Sequence, residues 1–319
     1  MEYLQIYRKM LLIRCFEKRV AALHRAGQVP GFTHLYWGQE AIAAGVCHWL
    51  TEADYVVSTH RGHGHCLAKG AEPGRMLAEI MGREDGYCRG RGGSMHVADF
   101  GCGMLGANGI VGGSLPISTG AALACKLAGG GNIAVAFFGD GAVEEGVFHE
   151  SLNLASLWSL PLLFVCENNQ WSISVPVGRR QAGGGPVALA EAHGISSCQA
   201  DGNDAVAVVA TAGEIVTEVR KGKPGLLNCQ TIRWGGHHSA QPTRAYRTAE
   251  DCQSAEAACP VARLGKHLIA TGEATEEQLA AAKAEADRLI DAAQRFAESS
   301  PQPPPETVTD YVYYEGSAD

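Results

Sequence analysis

The eleven cysteines of this 319-residue chain include no Cys-x-x-Cys pair. Odd in number and scattered singly, they suggest neither a disulfide framework nor a thiolate zinc site, and a reducing compartment suits them best. Long apolar runs are scarce as well. The N-terminal MEYLQIYRKMLLIRCFEKRV is broken by Glu2, Arg8, Lys9, Arg14, Glu17 and Lys18, which argues against a signal peptide or membrane span there. It also lacks the acid-poor, serine-rich character of an organelle transit peptide, so a soluble, cytoplasmic protein is expected. Positive charge is in deficit: 26 Lys and Arg face 34 Asp and Glu, with both signs interspersed and a net charge of -8. No basic stripe results that could track a phosphate backbone, and no nucleic-acid partner is expected. Internal repeats and long flexible linkers are missing too.

What is present is enough apolar residue, 46%, to bury a substantial core. Leu4, Tyr7, Leu11, Phe16, Val20 and Leu23 recur near helical spacing, ending at Gly27 with Pro30 beyond, and predict one amphipathic helix. A second helix is expected over 39–50. The small-residue run 115–128 predicts a buried helix, and after the Gly129–Gly131 turn the short apolar run Ile133–Phe138 reads as a strand buried on both faces. Helices at 145–157, 187–193 and 204–220 then alternate with strands at 162–166, 197–200 and 226–232. Such alternation implies a doubly wound, mostly parallel α/β sheet. From Pro260 to Ser299 the chain is helical by composition, with Thr275-Glu276-Glu277-Gln278 as a capped helix start before the PQPPP tail. One domain over 1–319 is expected, with helical extensions at 1–50 and 256–300.

Chemistry concentrates at two predicted strand ends. Phe137-Phe138-Gly139-Asp140-Gly141 sets a carboxylate between glycines, and Val165-Cys166-Glu167-Asn168-Asn169 sets amides at the end of the next strand. In a parallel sheet both ends lie on one edge, where ligands bind. An Asp carboxylate beside an Asn carbonyl provides hard oxygen ligands suited to Mg²⁺. The flanking Gly139 and Gly141 would let a diphosphate approach the backbone and the following helix N-terminus. Taken singly, each segment reads equally well as a tight turn. His60, His63 and His65 could suggest a metal cluster, yet they lie in a glycine-rich loop and are expected to have no cysteine or carboxylate companion.

GDG followed after 26 residues by NN resembles the cofactor motif of thiamine-diphosphate enzymes. The stretches YRKMLLIRCFE, GQEA, STHRGHGH, GYCRGRGGSMH, GANGIVGG, AVAFFGDGA, FHESLNLA, LPLLFVCENN, DGND and YRT extend the resemblance over nearly the whole chain. They are similar to alpha subunits of pyruvate, acetoin and branched-chain 2-oxo acid dehydrogenases. The resemblance implies the thiamine-diphosphate-binding fold of the diphosphate type. It implies Mg²⁺ held by Asp140, Asn169 and the main-chain carbonyl of Trp171, and the diphosphate surrounded by His60, Arg61 and Arg233, with amide donors from Gly141 and Ala142. Gly109 and Val111 would meet the aminopyrimidine. His34, His63 and His237 would line the substrate side, where a near-neutral imidazole could move a proton, and His237 would also contact the cofactor. His24, His48, His149, His193 and His267 read as surface or core residues, while His96 and His238 adjoin site segments and stay undecided.

By the same resemblance, thiamine diphosphate performs the decarboxylation of a 2-oxo acid, accepting the electrons released as CO₂ leaves. The glutamate that activates it lies on a beta chain in the two-subunit enzymes, which implies an α₂β₂ assembly and a lipoyl-bearing acyltransferase that accepts the acyl group from a small 2-oxo acid. A rival reading is the alpha half of a split transketolase-like or acyloin-forming enzyme; a further rival is a non-enzymatic nucleotide-binding or scaffold protein. Three departures bear on substrate and reaction: the acidic Val143-Glu144-Glu145-Gly146 after GDG, the glycine-rich loop 179–186, and Gly236-His237-His238-Ser239-Ala240-Gln241-Pro242, which lacks the expected acidic residue.

Overall fold

Alternate residues of the central strands bury themselves in two separate apolar clusters, and the architecture follows from that. Val135, Phe137, Leu163 and Val165 enter one cluster, while Ala134, Ala136, Phe138, Leu162, Phe164 and Cys166 enter the other. A strand whose two faces are both covered has no polar position to spare, which is why these runs are continuously apolar. The computed structural model describes residues 2–242 and 246–313.

In chain order the strands are β1 (Tyr55–Val57), β2 (Met104–Gly106), β3 (Ala134–Gly139), β4 (Leu162–Asn168), β5 (Trp171–Ser172), β6 (Val175–Pro176), β7 (Ser196–Asp201) and β8 (Gly225–Gln230). Six form one sheet in the order β2-β1-β3-β4-β8-β7, every neighbouring pair parallel. β5 and β6 form a short antiparallel hairpin beside it. The helices are α1 (Glu2–Arg25), α2 (Glu40–Cys47), α3 (His63–Lys69), α4 (Pro73–Ile80), α5 (Ser114–Ala128), α6 (Gly146–Leu157), α7 (Gly185–Ala192), α8 (Ala205–Val219), α9 (Ala249–Ala257), α10 (Pro260–Ala270) and α11 (Glu276–Ser299).

Ile42 of α2 and Val208 and Val216 of α8 cover one face; Leu115, Phe148, Leu152 and Ala190 of α5, α6 and α7 cover the other. Each such large side chain contributes about 1.5–3 kcal/mol by leaving water. The doubly wound parallel sheet expected from the alternation is therefore the one observed. Among the described residues no helix is long and apolar enough to cross a membrane.

The long helices and central strands coincide with the periodic segments to within a few residues. The helical stretch from Pro260 resolves into two helices, parted at Gly272, where φ is +71°. The second opens with a capping box in which Thr275 Oγ1 accepts from Gln278 N and Gln278 Oε1 accepts from Thr275 N. Its Ala282, Ala286, Ile290, Ala293 and Ala297 form the buried stripe that packs near α1 and α4. Unanticipated are β1, β2, α3, α4, the β5–β6 hairpin and α9. All are short, and most lie in glycine-rich sequence where no periodicity can develop.

Candidate active site

Five strands of the sheet deliver the segments that follow them to one edge. Thr59, His60 and Arg61 follow β1; Asn108, Gly109 and Val111 follow β2; Asp140 follows β3; Asn169 follows β4; Arg233 follows β8. These residues line a single cavity of about 190 Å³, together with His34, Gly139, Gly141, Ala142, Trp171 and His237.

Register places Gly139 opposite Glu167, so the residues just past them meet. The Asn169 N–H donates to Asp140 Oδ1 at 3.2 Å, with Asp140 only 1% exposed. Gln170 takes a left-handed φ of 69°, and the chain doubles back so that the Trp171 N–H donates to Asn169 Oδ1 at 3.3 Å. That conformation costs a non-glycine residue about 1 kcal/mol or more, and it holds Trp171 in the cavity wall. A buried carboxylate with amide and main-chain oxygens nearby is a donor set for a small hard cation. Here the Arg180 guanidinium already pairs with Asp140 Oδ2 and Glu144, and Gln181 Nε2 donates to the Asp140 carbonyl at 2.8 Å. Burial raises the Asp140 carboxyl above its usual range, against the opposing pull of Arg180. Gly141 approaches the hairpin closely: a Cβ there would meet Ser172 Oγ at 2.7 Å.

Positive charge in the same cavity comes from Arg61 and Arg233, 3% and 2% exposed. Arg61 donates to the carbonyls of Leu35 at 2.8 Å and His237 at 2.7 Å, tying together two segments that both carry a cavity histidine. Arg233 is gripped by the Tyr246 hydroxyl and by the Ile173 carbonyl at 3.2 Å. Burial, then mutual repulsion, lowers the Arg61 pKa. His34, His60 and His237 meet edge-on or tilted, with ring centroids 4.8–5.5 Å apart. Burial and the Arg61 charge bring His34 and His237 down to about 3, and His60 is lowered by the same causes. These imidazoles are therefore neutral near pH 7, and Nδ1 of both His34 and His237 is buried without a partner among the described residues. His238 extends the cluster outward to Phe32.

One expected site residue is elsewhere. His63 is absent from the cavity wall; it begins α3, is fully buried, and is held between Glu17 Oε1 at 3.0 Å and Ser94 Oγ at 2.9 Å. Both ring nitrogens are thereby occupied in the core. The reading that the histidines have no carboxylate companion is corrected likewise, since His65 Nε2 meets Glu167 Oε1 at 3.0 Å. These carboxylates are distant in sequence, which spacing alone does not reveal. His96 lies exposed against Gly92, outside the cavity.

Glu167 and Gln39 are among the cavity residues that the sequence reading does not single out. Glu167 is buried, receives Tyr36 Oη and His65, and forms part of the wall. Gln39 is 1% exposed and touches Asn169. The glutamine lies in GQEA, a stretch noted for its resemblance but not for its reach. After Gly236-His237, where the expected acid is lacking, Gln241 Oε1 accepts from the His237 N–H at 2.9 Å. The acidic residue Glu144 faces Arg180 across the same loop that carries the extra glycines.

A family profile described as "Dehydrogenase E1 component" matches residues 7–306. Among relatives, the chain is 43% identical over 312 residues to the alpha subunit of acetoin:2,6-dichlorophenolindophenol oxidoreductase of Cupriavidus necator, covering 97% of this chain and 93% of the relative. The Bacillus subtilis protein of the same description is 42% identical, covering 98% and 94%. The pyruvate dehydrogenase E1 component subunit alpha of Rhizobium meliloti is 38% identical, covering 94% and 86%. This chain accordingly belongs to the dehydrogenase E1 component family, as a protein of its alpha-subunit type.

Proposed function

We propose that this chain binds thiamine diphosphate with Mg²⁺ and, paired with a beta subunit in an α₂β₂ assembly, cleaves a small 2-oxo compound and passes the acyl group to lipoamide. The observation that carries the reading is the meeting of Asp140 and Asn169 at adjacent parallel strand ends, in a cavity that Arg61 and Arg233 also line. The residues fit the group: hard oxygen donors and two buried guanidinium groups line one cavity, with buried polar atoms on Gln39, His34 and His237 that have no partner among the described residues. Asp140, Asn169 and the Trp171 carbonyl would hold the metal. His60, Arg61 and Arg233 would hold the diphosphate, with Gly139, Gly141 and Ala142 at its backbone side and Gly109 and Val111 at the aminopyrimidine.

Thiamine diphosphate supplies the carbon nucleophile and electron sink when bound. The chain's own residues bind it, exclude water and manage protons. With folded pKa values near 3, His34 and His237 are neutral imidazoles at pH 7, each able to donate or accept at Nδ1 as a carbonyl or alcohol changes charge. The partner acyltransferase, the cytoplasmic location and the single thiamine-diphosphate-binding domain belong to the same proposal. Within it, acetoin is the first substrate to assay, because the relatives at 43% and 42% identity carry acetoin in their descriptions and the pyruvate relative stands at 38%. Carbon–carbon bond formation with an aldehyde acceptor is the second reading, favoured by the acidic Glu144-Glu145 pair after GDG.

Calorimetry of the full chain co-purified with its beta subunit tests the core claim. Thiamine diphosphate with Mg²⁺ is expected to bind the wild type and to lose at least about a hundredfold in affinity with Asp140→Ala, which removes a charged ligand. Unchanged affinity in that variant overturns the proposal. Reduction of lipoamide or dichlorophenolindophenol with acetoin and with pyruvate then separates the substrates, and product analysis with an added aldehyde separates the second reading.

A further inference from the structure

Gln39 stands between Gly38 and α2, and its side chain lines the cavity in contact with Asn169. Its backbone is fixed from both sides. Gly38 has φ +90°, and a Cβ there would lie 2.5 Å from the Ile232 carbonyl oxygen, so the turn nests against the strand-end segment that carries Arg233. The Gly38 carbonyl accepts from Asn203 Nδ2 at 3.0 Å, and the Gly38 N–H donates to Glu40 Oε2 at 3.1 Å. Glu40 in turn pairs with the buried Arg14 at 2.5 Å.

The orientation of the Gln39 carboxamide follows by a chain of donors. A main-chain N–H can only donate, so Asn169 must present Oδ1 to the Trp171 N–H. Its Nδ2 is thereby turned to Gln39, where Oε1 accepts it at 3.1 Å. Gln39 then has only its Nε2 left for the cavity wall, and that nitrogen is buried with no partner among the described residues. A buried donor left unpaired is costly, and Arg61 and Arg233 line the same cavity, so the acceptor that suits it is an anionic oxygen.

We propose that Gln39 is a binding and positioning residue of this site: its Oε1 locks the Asn169 carboxamide, and its Nε2–H donates to an oxygen of the diphosphate. The proposal rests on the thiamine-diphosphate reading above. It assigns to the GQEA segment a direct role that its place at a helix start does not suggest.

The test uses the full chain co-purified with its beta subunit, with Mg²⁺ and either thiamine diphosphate or inorganic pyrophosphate as the probe. Gln39→Glu keeps an acceptor for Asn169 Nδ2 but replaces the cavity donor with negative charge; Gln39→Met removes both. Calorimetry is expected to show at least about a tenfold loss of affinity for both probes in Gln39→Glu, as expected when a hydrogen bond to a charged group is lost. Its melting temperature should stay above that of Gln39→Met. Wild-type affinity for both probes in Gln39→Glu overturns the proposal, as does a loss confined to thiamine diphosphate, which would place the donor away from the phosphates. Asp140→Ala separates the two levels: if it abolishes binding while the Gln39 variants bind normally, only the role of Gln39 fails. If Asp140→Ala itself binds normally, the reading beneath it fails as well.

Discussion

The Arg180 guanidinium rests on the Asp140 carboxylate, with the arginine side chain 8% exposed and the aspartate 1% exposed. A second positive charge cannot share that carboxylate cheaply, so a divalent cation at Asp140 has to displace Arg180. Arg180→Met is expected to raise Mg²⁺ or Mn²⁺ affinity by about tenfold or more. In metal-free protein it should cost about 3 kcal/mol by leaving a buried carboxylate unpaired. Metal titration by calorimetry and melting curves with and without Mg²⁺ check both halves. Weaker metal binding in the variant would show that Arg180 assists the cation instead.

Stability should fall on the acid side through the cavity histidines. His34 and His237 have folded pKa values of about 3 against an ordinary 6.5, so the unfolded chain takes up protons that the folded one refuses. Their contribution is fully present above about pH 6.5 and is lost progressively as pH falls toward 3. Urea midpoints taken between about pH 7.5 and 5 should drop in the wild type and drop less steeply in a His34→Gln/His237→Gln double variant. Equal slopes would mean that other groups carry the effect.

Glu79 is fully buried on α4, and its two oxygens accept four main-chain N–H groups, from Cys88 at 2.7 Å, Gly90 at 2.8 Å, Gly92 at 2.7 Å and Gly93 at 2.9 Å. This one carboxylate shapes the glycine-rich loop whose Met95 reaches the cavity wall. Glu79→Ala should destabilise the protein by about 3 kcal/mol, the order expected for several donors left without a charged acceptor. Chemical denaturation measures it, and a loss under about 1 kcal/mol would show that the loop finds other acceptors.

His34 and His63 should part company under mutation. His63→Gln disturbs the buried contacts with Glu17 and Ser94 and is expected to cost about 2–4 kcal/mol of stability while leaving kcat/KM per folded molecule within about threefold. His34→Gln, at the cavity wall, should lower kcat/KM by at least about a hundredfold with little change in melting temperature. The reverse pattern would return His63 to the active site.

Much of the framework was written in residue order. The continuous apolar runs within 134–139 and 162–168 specify strands buried on both faces, and a parallel sheet brings their C-terminal ends to one edge whatever the details of packing. For that reason Asp140 and Asn169 could be paired from sequence alone. The histidines of the THRGHGH segment could not be sorted that way, because glycine-rich sequence carries no periodicity to say which ring faces inward. His60 lines the cavity, His63 finds Glu17 on α1, and His65 finds Glu167 at the end of β4.

Local sequence determined the elements, the sheet edge and the chemical types gathered there, since these depend on spacing along one strand or helix. Only the tertiary structure decided which polar groups are partnered and which are left facing the cavity. Gln39 against Asn169, Arg180 upon Asp140 and His63 beside Glu17 are contacts between segments 130, 40 and 46 residues apart. Their geometry is set by how helices and strand ends pack, a property no local pattern encodes.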